Sequence, residues 1–133
     1  METNSIRRNI NRLLLDPNNY RFRDNRKYEY VNNDQTDDPL VQQKTFDFLT
    51  GENNELIQDL ITSFKTNGYH DVERIQVKSI GDKYLVLEGN RRLASLKVLW
   101  EDFKVGKNVG LLNAGDFENI ELVEIIVEQD LHQ

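Results

Sequence analysis

The sequence contains no cysteine, only two prolines and a single methionine. Without cysteine it cannot form a disulfide bond, a thiolate zinc site or a cysteine nucleophile, and this lack is typical of an intracellular, cytoplasmic protein. No apolar run approaches the roughly 20 residues that a membrane-spanning helix needs, which argues against a membrane-embedded protein. The first residues also lack the charged and then apolar order of a signal peptide.

The 133 residues, of which 38% are hydrophobic, fit one compact domain with a single core. The net charge of −6 argues against a purely electrostatic nucleic-acid binder, whose usual footprint is a basic domain. The charges are segregated, however, because residues 1–28 carry a net +4, residues 29–59 a net −7, residues 60–110 a net +3 and residues 111–133 a net −6. An acidic chain can therefore still present a local basic site.

The spacing of apolar residues predicts alternating helices and strands. Helices are expected at 40–49, from Leu56 to just before Gly68, and at 91–103; strands are expected at 10–15, 74–80, 83–88 and 121–128. The two middle strands flank the turn signal Gly81-Asp82 and predict a β-hairpin. This order predicts a mixed α/β domain of the layered α+β kind, with a mixed sheet flanked by helices.

The junction between the predicted strand 83–88 and the following helix is the most informative stretch, and it reads Glu88-Gly89-Asn90-Arg91-Arg92. A glycine there permits a sharp turn and the close approach of a ligand. The first N–H groups of a helix form an anion site, and two arginines in that turn are unfavourable for the helix dipole unless an anion binds. The alternative is that the arginines lie in water or pair with Glu88, Glu101 or Asp102.

Several stretches together resemble the ParB/sulfiredoxin family, and more narrowly the N-terminal ParB-like domain, also called the ParB-like nuclease domain. They are residues 13–22 (LLLDPNNYRF), 57–64 (IQDLITSF), Gly68, 75–77 (IQV) and 84–96 (YLVLEGNRRLASL). The resemblance implies one ParB/sulfiredoxin-like domain over residues 1–133, with a core at about 8–22 and 52–128 and an insertion or mobile loop at 23–51.

The resemblance further implies a site for a nucleoside triphosphate, CTP or ATP, with Mg²⁺. Carried over by position, Gly89, Asn90, Arg91 and Arg92 would form the phosphate turn, Ser63 would face the phosphates, and Gly68 would lie beside the ribose and base. Arg21 and Glu88 are further candidates near the same pocket. The implied function is a switch or regulatory module in a DNA-related system such as partition or defence.

The departures from the family pattern leave alternatives open. Sulfiredoxin activity requires a cysteine where Asn90 stands, and ParB proteins that hydrolyse CTP usually have glutamate there, so sulfinic-acid reduction is excluded and hydrolysis is in doubt. A Mg-dependent nuclease or NTPase remains an alternative, as does a protein-interaction domain that has lost nucleotide binding. No metal-ligand set is expected, because His70 and His132 are isolated.

ParB proteins carry a helix-turn-helix region after this domain, and the 23 residues after Gly110 are too few for one. The chain is therefore expected either to be the N-terminal fragment of a longer protein, which binds DNA through other domains, or to work without reading a DNA sequence. A homodimer is a further expected assembly. Aromatic and basic residues interleave between Tyr20 and Tyr30, which predicts a contact with nucleic acid or with a partner chain, or else packing on the domain itself.

Overall fold

The computed structural model describes residues 2–19, 22, 29–69 and 74–126. The strands are β1 (Glu2–Arg8), β2 (Leu13–Leu14), β3 (Ile75–Ile80), β4 (Lys83–Glu88) and β5 (Ile120–Ile126). The helices are α1 (Pro39–Thr50), α2 (Gln58–Asn67), α3 (Asn90–Lys104) and α4 (Ala114–Glu118). Short 3-10 segments at Ile10–Arg12, Asn33–Gln35 and Glu52–Ile57 join them.

The five strands form one mixed sheet in the order β1-β5-β3-β4-β2. β3 and β4 pair antiparallel, as do β1 and β5, whereas β2 runs parallel to β4 and β3 runs parallel to β5. The prediction of a mixed α/β domain is thus confirmed. Because β3 is antiparallel to β4, the start of β3 lies beside the end of β4, where the candidate phosphate turn begins.

The core lies between this sheet and the helices. Ile75, Val77 and Val86 of the hairpin are completely buried, and so are the inward residues of α3. Those residues are spaced three or four apart, as a helix packed along one face requires: Leu93, Leu96 and Leu99. The core therefore fixes the position of both elements that meet at Gly89.

Local patterning predicted the hairpin, α1, α2, α3 and β5, but it placed β2 only within a longer strand and missed β1 and α4. The predicted strand 10–15 is wrong in its first half, because the side chain of Asn9 accepts a hydrogen bond from the Asn11 amide and caps a 3-10 turn. β1 was not predicted at all. Its residues are mostly exposed, as on the outer strand of a sheet, so it carries little apolar alternation.

α1 is tied to the 13–19 segment by side-chain amides that pair with backbone groups. The Gln42 amide accepts from the Leu15 N–H at 2.9 Å and donates to the Leu15 carbonyl at 2.9 Å and the Thr36 carbonyl at 2.8 Å. Asn18 makes the same two-way exchange with the backbone of Val31. Residues 29–50 are therefore fastened to the domain at two points.

Within the part of the chain that the structure describes, no helix is both long enough and apolar enough to cross a membrane.

Candidate functional site

The turn between β4 and α3 is built around Gly89. Its φ of 103° lies in the region that favours glycine, and a β-carbon there would lie 3.0 Å from Cγ1 of Ile75. A side chain at this position would therefore be strained by the backbone and crowded by the hairpin. The sequence-based prediction of a sharp glycine turn at the start of α3 is confirmed.

The start of α3 is favourable for an anion. Gly89 is the N-cap and offers no side-chain acceptor, and the first turn contains no acidic residue. The first intrahelical hydrogen bond runs from the Leu93 N–H to the Gly89 carbonyl at 2.9 Å. The N–H groups of Asn90, Arg91 and Arg92 precede that bond, so they have no carbonyl within the helix to receive them. They add to the positive end of a 15-residue helix dipole.

The side chain of Asn90 points into the protein. The residue is 3% exposed, its Oδ1 accepts a hydrogen bond from the Asp16 N–H at 2.8 Å, and its Nδ2 donates to the Val86 carbonyl at 3.1 Å. One amide thus joins the 13–19 segment to the end of β4. Only the backbone N–H of Asn90 remains for a ligand at the turn.

Arg91 reaches across to the start of α2. Its Nη2 donates to the Leu56 carbonyl at 2.5 Å and forms an ion pair with Oδ1 of Asp59 at 3.1 Å. The Arg91 side chain is 31% exposed and that of Asp59 69% exposed, so this pair lies at the surface. The acidic partner is therefore none of the three residues that the sequence had suggested, while Arg92 is half-buried and has a contact of its own.

Of the other predicted site residues, Glu88 directly precedes this turn, whereas Ser63 lies on α2 and Gly68 at its end. Ser63 is exposed and lies one helical turn after Asp59 on α2, where its Oγ accepts a weak hydrogen bond from Asn67 at 3.5 Å. Gly68 ends α2 with a φ of 78°. Glu88 is exposed at the end of β4, and Arg21 lies outside the described residues.

Asp59 is the site residue that sequence reasoning missed. It lies 32 positions before Arg91, and no local pattern connects the two. The available signal was its place in the first turn of α2, where a carboxylate is common because it interacts with the helix dipole. Because the helix dipole already explains a carboxylate at this position, the sequence provided no reason to expect Asp59 as the partner of Arg91.

Groups of three or more His, Asp or Glu residues able to hold a metal ion do not occur among the described residues. His70 and His132 lie outside them. The start of α3 has backbone N–H donors and two guanidinium groups, and these groups are suited to binding an anion.

The chain matches no protein-family model, and no curated protein matches it with significance.

Proposed function

We propose that this protein is a ParB-like domain that binds a nucleoside triphosphate at the start of α3 and acts as a switch or regulatory module in a DNA-related system. The observation that supports it most is the combination at one turn of a positive-φ Gly89, a helix N-terminus without a side-chain cap, and two arginines without a first-turn acid. A phosphate group satisfies the second and third features, since it accepts hydrogen bonds from the amides and carries the charge that the arginines lack within their own turn.

Arg91 fits this role because its present carboxylate partner is weakly held. Exposed ion pairs contribute about 0–1 kcal/mol, so a phosphate with two or more negative charges can replace Asp59 at small cost. Ser63 lies one turn along the same helix and can add a hydroxyl donor after the exchange. The side chain of Asn90 takes no part, since both of its polar groups are already bonded within the protein.

The bound nucleotide would be CTP or ATP with Mg²⁺. Mg²⁺ usually binds to nucleotide phosphates, several waters and only one or two carboxylates, so a site of this kind does not require a three-residue metal cluster. Asp59 and Glu88 are the carboxylates nearest the turn along α2 and β4 and are the candidates for such a role. The metal would supply charge neutralisation to the phosphates.

Calorimetric titration with CTP, ATP, GTP and UTP in the presence of Mg²⁺ tests the proposal. We expect Arg91→Ala/Arg92→Ala to lower the affinity for the preferred nucleotide at least tenfold, because two charge-assisted contacts are lost. The matched control is Arg7→Ala/Lys107→Ala, which removes the same charge from exposed positions elsewhere. Absence of binding of all four nucleotides at millimolar concentration, or equal losses in the two double variants, would contradict the proposal.

A phosphate-release assay on the same samples separates binding from the NTPase alternative. Steady release that disappears in Arg91→Ala/Arg92→Ala would show that the domain turns its nucleotide over. Binding without release would agree with Asn90, which stands where ParB proteins that hydrolyse CTP usually carry glutamate.

A further inference from the structure

A pocket of about 240 Å³ is formed by Pro17, Phe22 and residues between 29 and 48. Residues 29–48 belong to the stretch 23–51, which the resemblance to the ParB-like domain leaves out as an insertion. None of residues 88–92, all of which the structure describes, lines this pocket. The pocket is therefore separate from the candidate site at the start of α3. Its apolar and aromatic wall residues are Pro17, Phe22, Tyr30, Val31, Val41 and Phe48.

Hydrogen bonds within the protein fix the walls of this pocket. Gln42, the neighbour of Val41, exchanges hydrogen bonds with both backbone groups of Leu15, and Asn18 does so with those of Val31. Pro17 lies between Leu15 and Asn18 in the chain, so the walls are tied together on both sides of it. A ligand does not have to order these walls, and this lowers the cost of binding.

The size and the walls of the pocket suit a small planar molecule. A cavity of about 150 Å³ accommodates benzene, so a pocket of about 240 Å³ accommodates about ten non-hydrogen atoms in proportion. The rings of Phe22 and Phe48 pack with their centres 5.6 Å apart. Tyr30 is 69% exposed, so its ring is available to pack on a ligand. These walls favour an aromatic ring.

Two residues of opposite charge, Glu29 and Lys44, also line the pocket and are exposed at its rim. Within the part of the chain that the structure describes, neither forms an ion pair or a side-chain hydrogen bond. Lys44 Nζ lies 6.0 Å from the centre of the Phe48 ring, which places a positive charge beside the aromatic wall. A rim with one carboxylate and one ammonium group is complementary to a ligand that carries one charge of each sign.

We propose that this pocket binds a free amino acid with an aromatic side chain. The ring lies against the wall that contains Phe48 and Tyr30, the carboxylate pairs with Lys44, and the ammonium group pairs with Glu29. Phenylalanine and tryptophan have the required ring and both charges. An aromatic molecule with a single charge leaves either Glu29 or Lys44 without a partner.

Calorimetric titration of the full chain with L-phenylalanine and L-tryptophan tests the proposal. A ligand of this size supports a Kd of roughly 10⁻⁵–10⁻³ M, so the titrations extend to about 10 mM. We expect N-acetylphenylalanine, which lacks the positive charge, and phenylalaninamide, which lacks the negative charge, each to bind at least about threefold more weakly. These analogues also imitate the two ends of a peptide, so they separate a free amino acid from a peptide terminus.

Glu29→Gln and Lys44→Gln should each weaken phenylalanine binding at least about threefold, because each removes one charged contact. Lys44→Gln should not weaken phenylalaninamide further, since this analogue has no carboxylate to lose. The matched controls are Glu55→Gln and Lys107→Gln, which remove the same charges from exposed positions that do not line the pocket and should leave the Kd unchanged.

NMR of the methyl groups of Val31 and Val41 locates the bound ligand, and we expect both residues to shift during the titration with phenylalanine. Absence of binding of both amino acids at the highest concentration would overturn the proposal. So would equal affinity for either analogue, or equal losses in the pocket variants and their controls. Binding that leaves the Val31 and Val41 methyl resonances unchanged would assign the amino acid to another surface and would overturn it as well.

Discussion

The buried amide of Asn90 gives the sharpest test of how this fold is held together. Asn90→Ala removes the acceptor for the Asp16 N–H and the donor to the Val86 carbonyl. A buried polar group that loses its partner costs about 1–3 kcal/mol. Loss of the hydrogen bond to the Val86 carbonyl costs less than loss of the hydrogen bond from the Asp16 N–H, because a carbonyl has two lone pairs. With about 0.5 kcal/mol regained from the better helix propensity of alanine, we expect the free energy of unfolding to fall by about 2–3 kcal/mol.

Urea unfolding followed by the fluorescence of Trp100, the only tryptophan, measures this change. The midpoint should move to lower urea with an unchanged slope, because the surface exposed on unfolding is nearly the same. Glu88→Gln is the control, since Glu88 is exposed two residues away and its replacement should alter stability by less than about 0.5 kcal/mol. An Asn90→Ala variant as stable as the wild type would refute the assignment of Asn90 as a structural residue.

Three further perturbations follow from the structure. Gly89→Ala should lower the free energy of unfolding by about 1–3 kcal/mol, and by more than Gly81→Ala, because the β-carbon would meet the side chain of the hairpin at 3.0 Å while the space around Gly81 is open; equal losses in urea unfolding would count against it. Gln42→Ala should accelerate amide hydrogen exchange at Leu15, whose N–H loses its acceptor; unchanged exchange there would show that the contact is not maintained in solution. Burial lowers the pKa of Lys97 below 10.5, so the unfolded chain binds more protons between the lowered pKa and 10.5 and stability gains with rising pH. Lys97→Met should remove that gain in urea midpoints measured from pH 7 to 10, and a gain of the same size in the variant would argue against it.

Much of the fold was predictable because its signals are local. The turn Gly81-Asp82 between two apolar runs specifies a hairpin, and the strands observed at Ile75–Ile80 and Lys83–Glu88 agree with the prediction to within one residue. The helix predicted over 40–49 is observed as Pro39–Thr50, with Asp38 as its side-chain cap. β1 and α4 escaped prediction because an exposed outer strand and a five-residue helix contain too few apolar positions to show a period.

Only the backbone conformation of the candidate site was predictable from the sequence. Glycine between a strand and an arginine-bearing helix indicates a sharp turn with outward N–H groups, and the structure has that turn. The partner of Arg91 was not predictable, because Asp59 is distant in sequence and is brought close by the packing of α2 on α3. The placement of Arg8 and Arg12 around Tyr84 was equally hidden, since the three residues belong to β1, a 3-10 turn and β4.

The sequence by itself determined the local elements, the absence of cysteine chemistry and the turn at Gly89, because each depends on residue type and near neighbours alone. The tertiary structure decided which way side chains face. It turned Asn90 inward, since the backbone N–H of Asp16, in the segment after β2 and 74 residues away along the chain, lies there and needs an acceptor. It paired Arg91 with Asp59 through the packing of the helices, and it placed Arg8 and Arg12 over the Tyr84 ring through the order of the strands. Neither the helix packing nor the strand order is specified by the order of residues along the chain.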